Sequence, residues 1–342
     1  SMGMRVDNFS LSIMREGFQS LNPFINNEHI KKPELNLEYK KYGSSVSYFA
    51  IANYANFDIN KNQHLLFNNN RMRQTGKRFI TEIGAEVLHS FRYFDVSIDG
   101  LFLHKKYNLD DKKINTQSTS IPSIKIKIAS LFRGSFKDSL SLLMPELVYQ
   151  KTNYKDQSMD PIFDLHQRNL GNFNRLNTKY LFGKDRVPDT EFLLASLKWE
   201  KKINNNSALN FQIIKKNELK ESQIINSMLE MPIGKDNQIG THLSFENDIL
   251  RAFVAANYSQ KRNTLNFGQA GLDIQLPETH LTFSRNFQSN IPLLNAANEL
   301  DYAEFSIERL MTGGYKFIGG ISKDLDSKKN LESYFGFGYE NC

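Results

Sequence analysis

The sequence predicts an all-β fold, on three observations. Apolar and polar residues alternate with period two along the whole 342-residue chain. Phe (26) and Tyr (14) far outnumber the single Trp, and Pro stands at only 9; aromatic rings favour strands, while Asn, abundant here, favours the turns between them. No apolar run approaches the roughly 20 residues of a membrane-spanning helix, and mean hydropathy is −0.49. A helical membrane protein is thereby excluded, but a membrane β-barrel is not. Barrel strands of about 10 residues alternate lipid-facing with lumen-facing side chains, so their average hydropathy is that of a water-soluble protein.

Ser1-Met2-Gly3-Met4 reads as a vector remnant, and residues 5–342 as one domain without a Pro-, Gly- or Ser-rich linker. Residues 5–19 lack the apolar core of a signal peptide, so localisation has to be read from the body of the chain. Leu35, Leu37 and Tyr39 then alternate with Asn36, Glu38 and Lys40, and Phe94, Val96 and Ile98 with Asp95, Ser97 and Asp99. The clearest strand is Ile124-Lys125-Ile126-Lys127-Ile128, β-branched on one face and cationic on the other. The rhythm returns at Leu209, Phe211 and Ile213, at Leu272, Ile274 and Leu276, at Phe305 and Ile307, and at Tyr315 and Phe317. Turn clusters separate these runs, among them Asn68-Asn69-Asn70, Asn204-Asn205-Asn206 and Lys235-Asp236-Asn237. Residues 218–229 fit either a strand pair or a short helix. A strand and turn every roughly 15 to 20 residues gives on the order of 18 strands.

Such a chain can build a soluble sandwich, a propeller, a β-helix or a membrane barrel. The absence of a 40- to 50-residue repeat argues against a propeller. Uneven connections, short Asn-rich ones and long polar ones such as 151–189, fit the short periplasmic turns and longer outer loops of a bacterial barrel. Alternation by itself does not say which face is inside.

Several kinds of chemistry are unsupported. The seven histidines are scattered without metal-site spacing, and the one cysteine, Cys342, has no internal partner; no metal or cofactor is expected. The net charge of +6 is spread evenly without a basic block, which argues against nucleic-acid binding. P-loops, dinucleotide fingerprints and nucleophile elbows are absent. Ser44, His89 or His104 could be imagined at an enzymatic barrel rim, but each is more simply a strand residue, and no enzyme is expected.

Residues 144–189 differ from the rest. Met144-Pro145-Glu146-Leu147-Val148-Tyr149 leads to Tyr154-Lys155-Asp156-Gln157-Ser158, to Asp160-Pro161-Ile162-Phe163-Asp164, and then to Phe182-Gly183-Lys184-Asp185-Arg186 and Asp189. This segment resembles the C-terminal β-barrel domain of the lipopolysaccharide-assembly proteins called LptD, or organic solvent tolerance proteins. In that family a P-E-x-x-Y strand leads into a D-Q-S and F-D loop, followed by an Asp-Arg segment. The terminal Gly336-Phe337-Gly338-Tyr339-Glu340-Asn341-Cys342 resembles the family's second landmark, a strand ending in a cysteine pair. The matched residues cover about a sixth of the chain.

The resemblance implies an antiparallel transmembrane outer-membrane β-barrel that is a translocon and not an enzyme. It implies lipopolysaccharide as cargo, an LptE-like lipoprotein plug, a periplasmic transport bridge, and outer-membrane lipids as surroundings. In the family the glycolipid leaves laterally between the first and last strands while its sugars traverse the lumen. The family's periplasmic domain, some of its strands and its remaining cysteines are absent here, so the chain is expected to be a barrel segment of a larger protein, with Cys342 marking a disulfide position.

The bland reading of Asp156, Gln157, Asp160, Pro161 and Asp164 is a polar loop whose side chains bond turn backbone. The functional reading is a loop folded into the lumen, with Pro145, Glu146, Tyr149, Phe163, Gly183, Asp185 and Arg186, that seats a plug or lines the glycolipid route. Arg168, Arg175, Lys184 and Arg186 could bind phosphate, but ion pairs within the loop, to Asp164, Asp185 and Asp189, are the plainer expectation. Two other classes stay open: an outer-membrane diffusion or uptake channel unrelated to lipopolysaccharide, and a soluble all-β binding module.

Overall fold

The computed structural model describes residues 2–16, 29–59, 74–111, 118–136, 139–161, 163, 166–167, 181–182, 185–204, 206–226, 231–232, 236–289 and 300–339. Its strands are β1 (Met2–Val6), β2 (Phe9–Glu16), β3 (His29–Lys41), β4 (Val46–Ile59), β5 (Gly76–Ser90), β6 (Asp95–Leu109), β7 (Ser118–Ala129), β8 (Phe132–Phe136) and β9 (Ser139–Thr152). After two short strands, β10 (His166–Gln167) and β11 (Leu181–Phe182), come β12 (Thr190–Asn204) and β13 (Ser207–Glu218). A second short pair, β14 (Ile225–Asn226) and β15 (Met231–Pro232), precedes β16 (Gln238–Glu246), β17 (Leu250–Ser259), β18 (Thr264–Gln275) and β19 (Thr279–Gln288). The last strands are β20 (Leu300–Met311), β21 (Tyr315–Asp324) and β22 (Asn330–Tyr339).

Eighteen of these strands form one sheet, every pairing antiparallel and between successive strands of the sheet except β7–β9, where the short β8 intervenes. The β10–β11 and β14–β15 pairs stand apart as small arms. The sheet is open: β1 pairs only with β2, and β22 only with β21. Met2–Val6 is a paired strand although residues 1–4 read as a vector remnant. Residues 218–229 contain no helix among the described residues; β13 ends at Glu218, and Ile225–Asn226 pairs with Met231–Pro232, the strand-pair alternative.

One break in the meander has a local cause. Pro145, in the middle of β9, carries no N–H for a ladder bond. Facing it the neighbouring strand is interrupted. β7 pairs with β9 as far as Ala129↔Glu146, β8 resumes at Phe132↔Leu143, and Ser130 N donates to the Pro145 carbonyl (3.1 Å) across the gap.

The two faces have opposite character, which settles the question alternation left open. Phe79, Ile83 and Val87 of β5, Ile98 and Phe102 of β6, Ile124 and Ile128 of β7 and Leu143 and Leu147 of β9 are exposed. Leu197, Ile213, Leu243, Val254, Leu272 and Phe283 continue this apolar face across β12 to β19. The alternate positions are polar or buried: Asn53, Arg78, Ser97, Lys105, Lys216, Gln238, Ser244 and Asn257. An apolar face turned outward along strand after strand costs about 25 cal/mol per Å² in water and is favourable in hydrocarbon. Two glycines shape the inner wall. A Cβ on Gly84 would lie 2.5 Å from the Phe49 ring, and one on Gly271 2.5 Å from the Phe253 ring, so both rings lie flat across the neighbouring strand.

The two ends differ as well. At one end the connections have two to four residues (7–8, 42–45, 91–94, 137–138, 205–206, 247–249, 276–278 and 312–314). At the other they run from four residues (260–263) to 37 (153–189). Asp7 and Asn263 sit in turns at positive φ, 49° and 55°, a conformation Asp and Asn tolerate.

Candidate functional site: a loop clamped to the inner wall

The longest connection joins β9 to β12 over residues 153–189, and its described residues 157–161, 163 and 185–187 lie against the polar face. Its shape begins locally. Asp156 Oδ1 accepts the Ser158 N–H (2.8 Å), and the Asp160 N–H donates to the Gln157 carbonyl (3.1 Å), closing a turn that Pro161 terminates. The Gln157 amide then acts as a piece of backbone. Its Nε2 donates to the Val187 carbonyl (2.8 Å), and its Oε1 accepts the Val187 N–H (2.9 Å), joining the two ends of the loop. Arg186 reinforces that junction, donating to the carbonyls of Asp160 (2.7 Å), Asp185 (3.3 Å) and Pro161 (3.4 Å).

The folded loop is fixed to the wall by two buried ion pairs. Arg78 of β5 donates to Asp185 Oδ1 (2.8 Å), both side chains 0% exposed, and the same carboxylate accepts from Tyr107 Oη of β6 (3.1 Å) and the Phe163 N–H (2.7 Å). Lys105 of β6 places its ammonium against Asp160 Oδ2 (2.9 Å), Gln157 Oε1 (2.8 Å) and the Asp185 carbonyl (2.8 Å), using all three donors. Apolar contacts accompany them. Phe163 stacks on Phe57 of β4 (centroids 4.4 Å, 14°), Arg78 lies 4.8 Å over the Phe57 ring, and Val187 packs with Ile80, Leu103 and Ile121.

Three cations, Arg78, Lys105 and Arg186, and two carboxylates, Asp160 and Asp185, thus leave water together. Arg78 and Lys105 are ion-paired, and Arg186 is held by loop carbonyls, because a buried charge is tolerated only when it is paired or hydrogen-bonded. Burial pushes the Asp160 carboxyl above its ordinary value, with Lys105 pulling the other way. Asp156, at the surface, is held below its ordinary value by the Ser158 N–H. The clamp extends through Asp189, which accepts from Ser222 Oγ (2.7 Å), Gln223 N–H (2.8 Å), Ile224 N–H (3.2 Å) and Lys220 Nζ (3.3 Å), tying down residues 220–224 of the next connection. Among the described residues no group of His, Cys, Asp and Glu side chains could hold a metal.

The expected site residues therefore divide. Gln157, Asp160, Pro161, Phe163, Asp185 and Arg186 come together in the clamp, while Asp156 keeps the bland role of bonding turn backbone. Pro145 and Tyr149 occupy outward register positions on β9 and Glu146 an inward one, away from the clamp. Asp164, Gly183 and Cys342, and the phosphate candidates Arg168, Arg175 and Lys184, lie outside the described residues. One expectation is corrected: Arg186 bonds loop carbonyls, and Asp185 pairs with Arg78 of the wall, because the buried guanidinium on β5 needs a counter-charge at that point. Arg78, Lys105, Tyr107 and Phe57 were missed. Their signal was a long basic or aromatic side chain at an inward position near a strand end, which any lumen wall carries.

An exposed apolar face, a polar face filled by an inserted loop, and short turns opposite long connections together define the wall of a transmembrane β-barrel. No family model matches the chain. It is similar to the LPS-assembly protein LptD of Burkholderia ambifaria, 25% identical over 207 residues, and to that of Paraburkholderia xenovorans, 25% identical over 222 residues. Each match covers 57% of this chain and 25% of the relative, so the chain spans about a quarter of the curated relatives it matches. Among solved structures it overlaps the ferripyoverdine receptor of the Pseudomonas aeruginosa outer membrane (10% identity, TM-score 0.36, 98% of this chain and 57% of that one). It also overlaps a mutant of Rh. blastica porin (7% identity, TM-score 0.27, 86% of this chain and 98% of that one). Both overlaps are too slight to bear on function.

Proposed function

We propose that this chain forms part of the wall of an outer-membrane barrel that delivers lipopolysaccharide to the cell surface, and that it works without covalent chemistry. The observation that carries the reading is the clamp of residues 157–161, 163 and 185–187 onto β4 to β6, formed within the same segment that resembles LptD. A loop held inside the lumen by buried ion pairs narrows the passage and offers a fixed surface to a plug or to cargo. A phosphorylated glycolipid suits this architecture: its sugars can pass polar residues such as Lys125 and Asp99, paired at 3.0 Å, while its acyl chains stay against the apolar face. The partners on this reading are an LptE-like lipoprotein plug, a periplasmic bridge reached through a domain outside this chain, and outer-membrane lipids. The open edges of β1 and β22 must then be met in the assembled barrel, since hydrocarbon does not satisfy backbone groups.

The test is co-purification of the full-length protein in mild detergent. Retention of a lipoprotein and of lipopolysaccharide is the expected result. A barrel that purifies without either and conducts ions freely would instead support the diffusion-channel alternative, which the polar lumen wall also suits.

A further inference from the structure

The outward face carries a feature that the lumenal account does not use. Beside Pro145 and the gap between β7 and β8, the apolar side of the wall carries a groove of about 480 Å³. Ile128, Pro145, Leu147, Ala195, Leu197 and Ile213 line it. The groove crosses four adjacent strands, β7, β9, β12 and β13, a run of about 14 Å at about 4.8 Å per strand. At its β13 end, three residues before the strand meets the long-connection rim, stands Lys215, exposed and opposite Ala195 and Ile239 on the outward face. Its neighbour Lys216 points inward and pairs with Glu218 (3.0 Å), whereas Lys215 makes no ion pair among the described residues. Glu146, at an inward position, also borders the groove.

A lone ammonium on a lipid-facing wall is costly unless it reaches the interface or meets an anion. Here it ends an apolar groove about 14 Å long, which seats part of an acyl chain. We propose that the groove is a binding site for one anionic phospholipid, its acyl chain lying over Pro145 and its headgroup, of net negative charge, against Lys215. The proposal rests on the barrel reading of the outward face and adds a lipid site on the wall, away from the lumen.

The single tryptophan supplies the probe. Trp199 lies on the outward face of β12, two residues from Leu197, with Nε1 bonded to Ser141 Oγ (2.8 Å). The folded full chain is placed in phosphatidylcholine vesicles containing a fixed fraction of either brominated phosphatidylcholine or brominated phosphatidylglycerol, and Trp199 quenching is compared. Phosphatidylglycerol is expected to quench at least twofold more strongly at equal fraction. That excess should vanish in Lys215→Gln, survive in Lys215→Arg, and fall in Ala195→Phe, which fills the groove. Equal quenching by the two lipids, or an excess that persists in Lys215→Gln, overturns the proposal. Absence of quenching by either lipid would overturn the membrane-facing assignment itself, a separable failure.

Discussion

Replacing Asp185 by Asn tests the clamp most sharply. The substitution preserves volume but removes the charge that Arg78 faces at 2.8 Å, and it sets an amide N–H₂ among three donors: Arg78, Tyr107 and the Phe163 N–H. Breaking one side of a fully buried pair costs about 3–5 kcal/mol, because the remaining charge is left uncompensated. At about 1.4 kcal/mol per decade, loop docking should weaken by about two to three and a half orders of magnitude. The cost is capped by the docking free energy itself, since a released loop hydrates its own groups. Tryptic cleavage after Arg186, which is buried in the docked loop, reports the open fraction, with cleavage after the exposed Lys155 as internal control. D185N should raise the Arg186 rate at least a hundredfold relative to Lys155. Unchanged protection of Arg186 would refute the reasoning, and R78M/D185L should recover part of the loss, because an apolar pair leaves no orphan charge.

Further outcomes follow from the same geometry. Gln157→Ala removes both bonds to the Val187 backbone and should cost about 2 kcal/mol of loop protection, read by hydrogen exchange at 185–189. Burial raises the folded Asp160 carboxyl, so its contribution to stability is complete below the unfolded value and fades as pH rises through the folded one. The wild-type minus D160N difference in exchange protection of 157–160 should therefore be larger near about pH 4 than near about pH 7, and a difference that grows toward neutrality would contradict the burial argument. On the outward face, Ile83→Lys should destabilise the membrane-inserted barrel by about 2–4 kcal/mol in denaturant titration, whereas Glu82→Gln, facing inward, should change it by no more than about 0.5 kcal/mol.

Much of the fold was legible because strands write themselves in period two. The Ile124-Ile126-Ile128 face and the estimate of about 18 strands reappear in the sheet, while the turn cluster Asn68-Asn69-Asn70 lies outside the described residues. The direction of the faces was not legible, since period two is symmetric: Ile124 outward in lipid and Ile124 inward in a sandwich read identically. Exposure of Ile124 and Ile128 together with burial of Lys105 and Arg78 breaks that symmetry. At the site, the Asp156 turn is local and could be read directly, but Asp185 meets Arg78 across 107 residues and Asp160 meets Lys105 across 55. No single sequence records such pairings. They arise from the sheet register, which brings the start of β5 beside the end of β6 at Arg78↔Tyr107.

The proposed role of the inner face, handling the polar part of lipopolysaccharide, can be probed by photo-crosslinking in cells, with a photoreactive residue at the inward Lys125 or Glu146 and, for comparison, at the outward Val254. Adducts that carry the core sugars are predicted at the two inward positions. Adducts confined to Val254, or none at any position while the barrel conducts small solutes, would contradict the account.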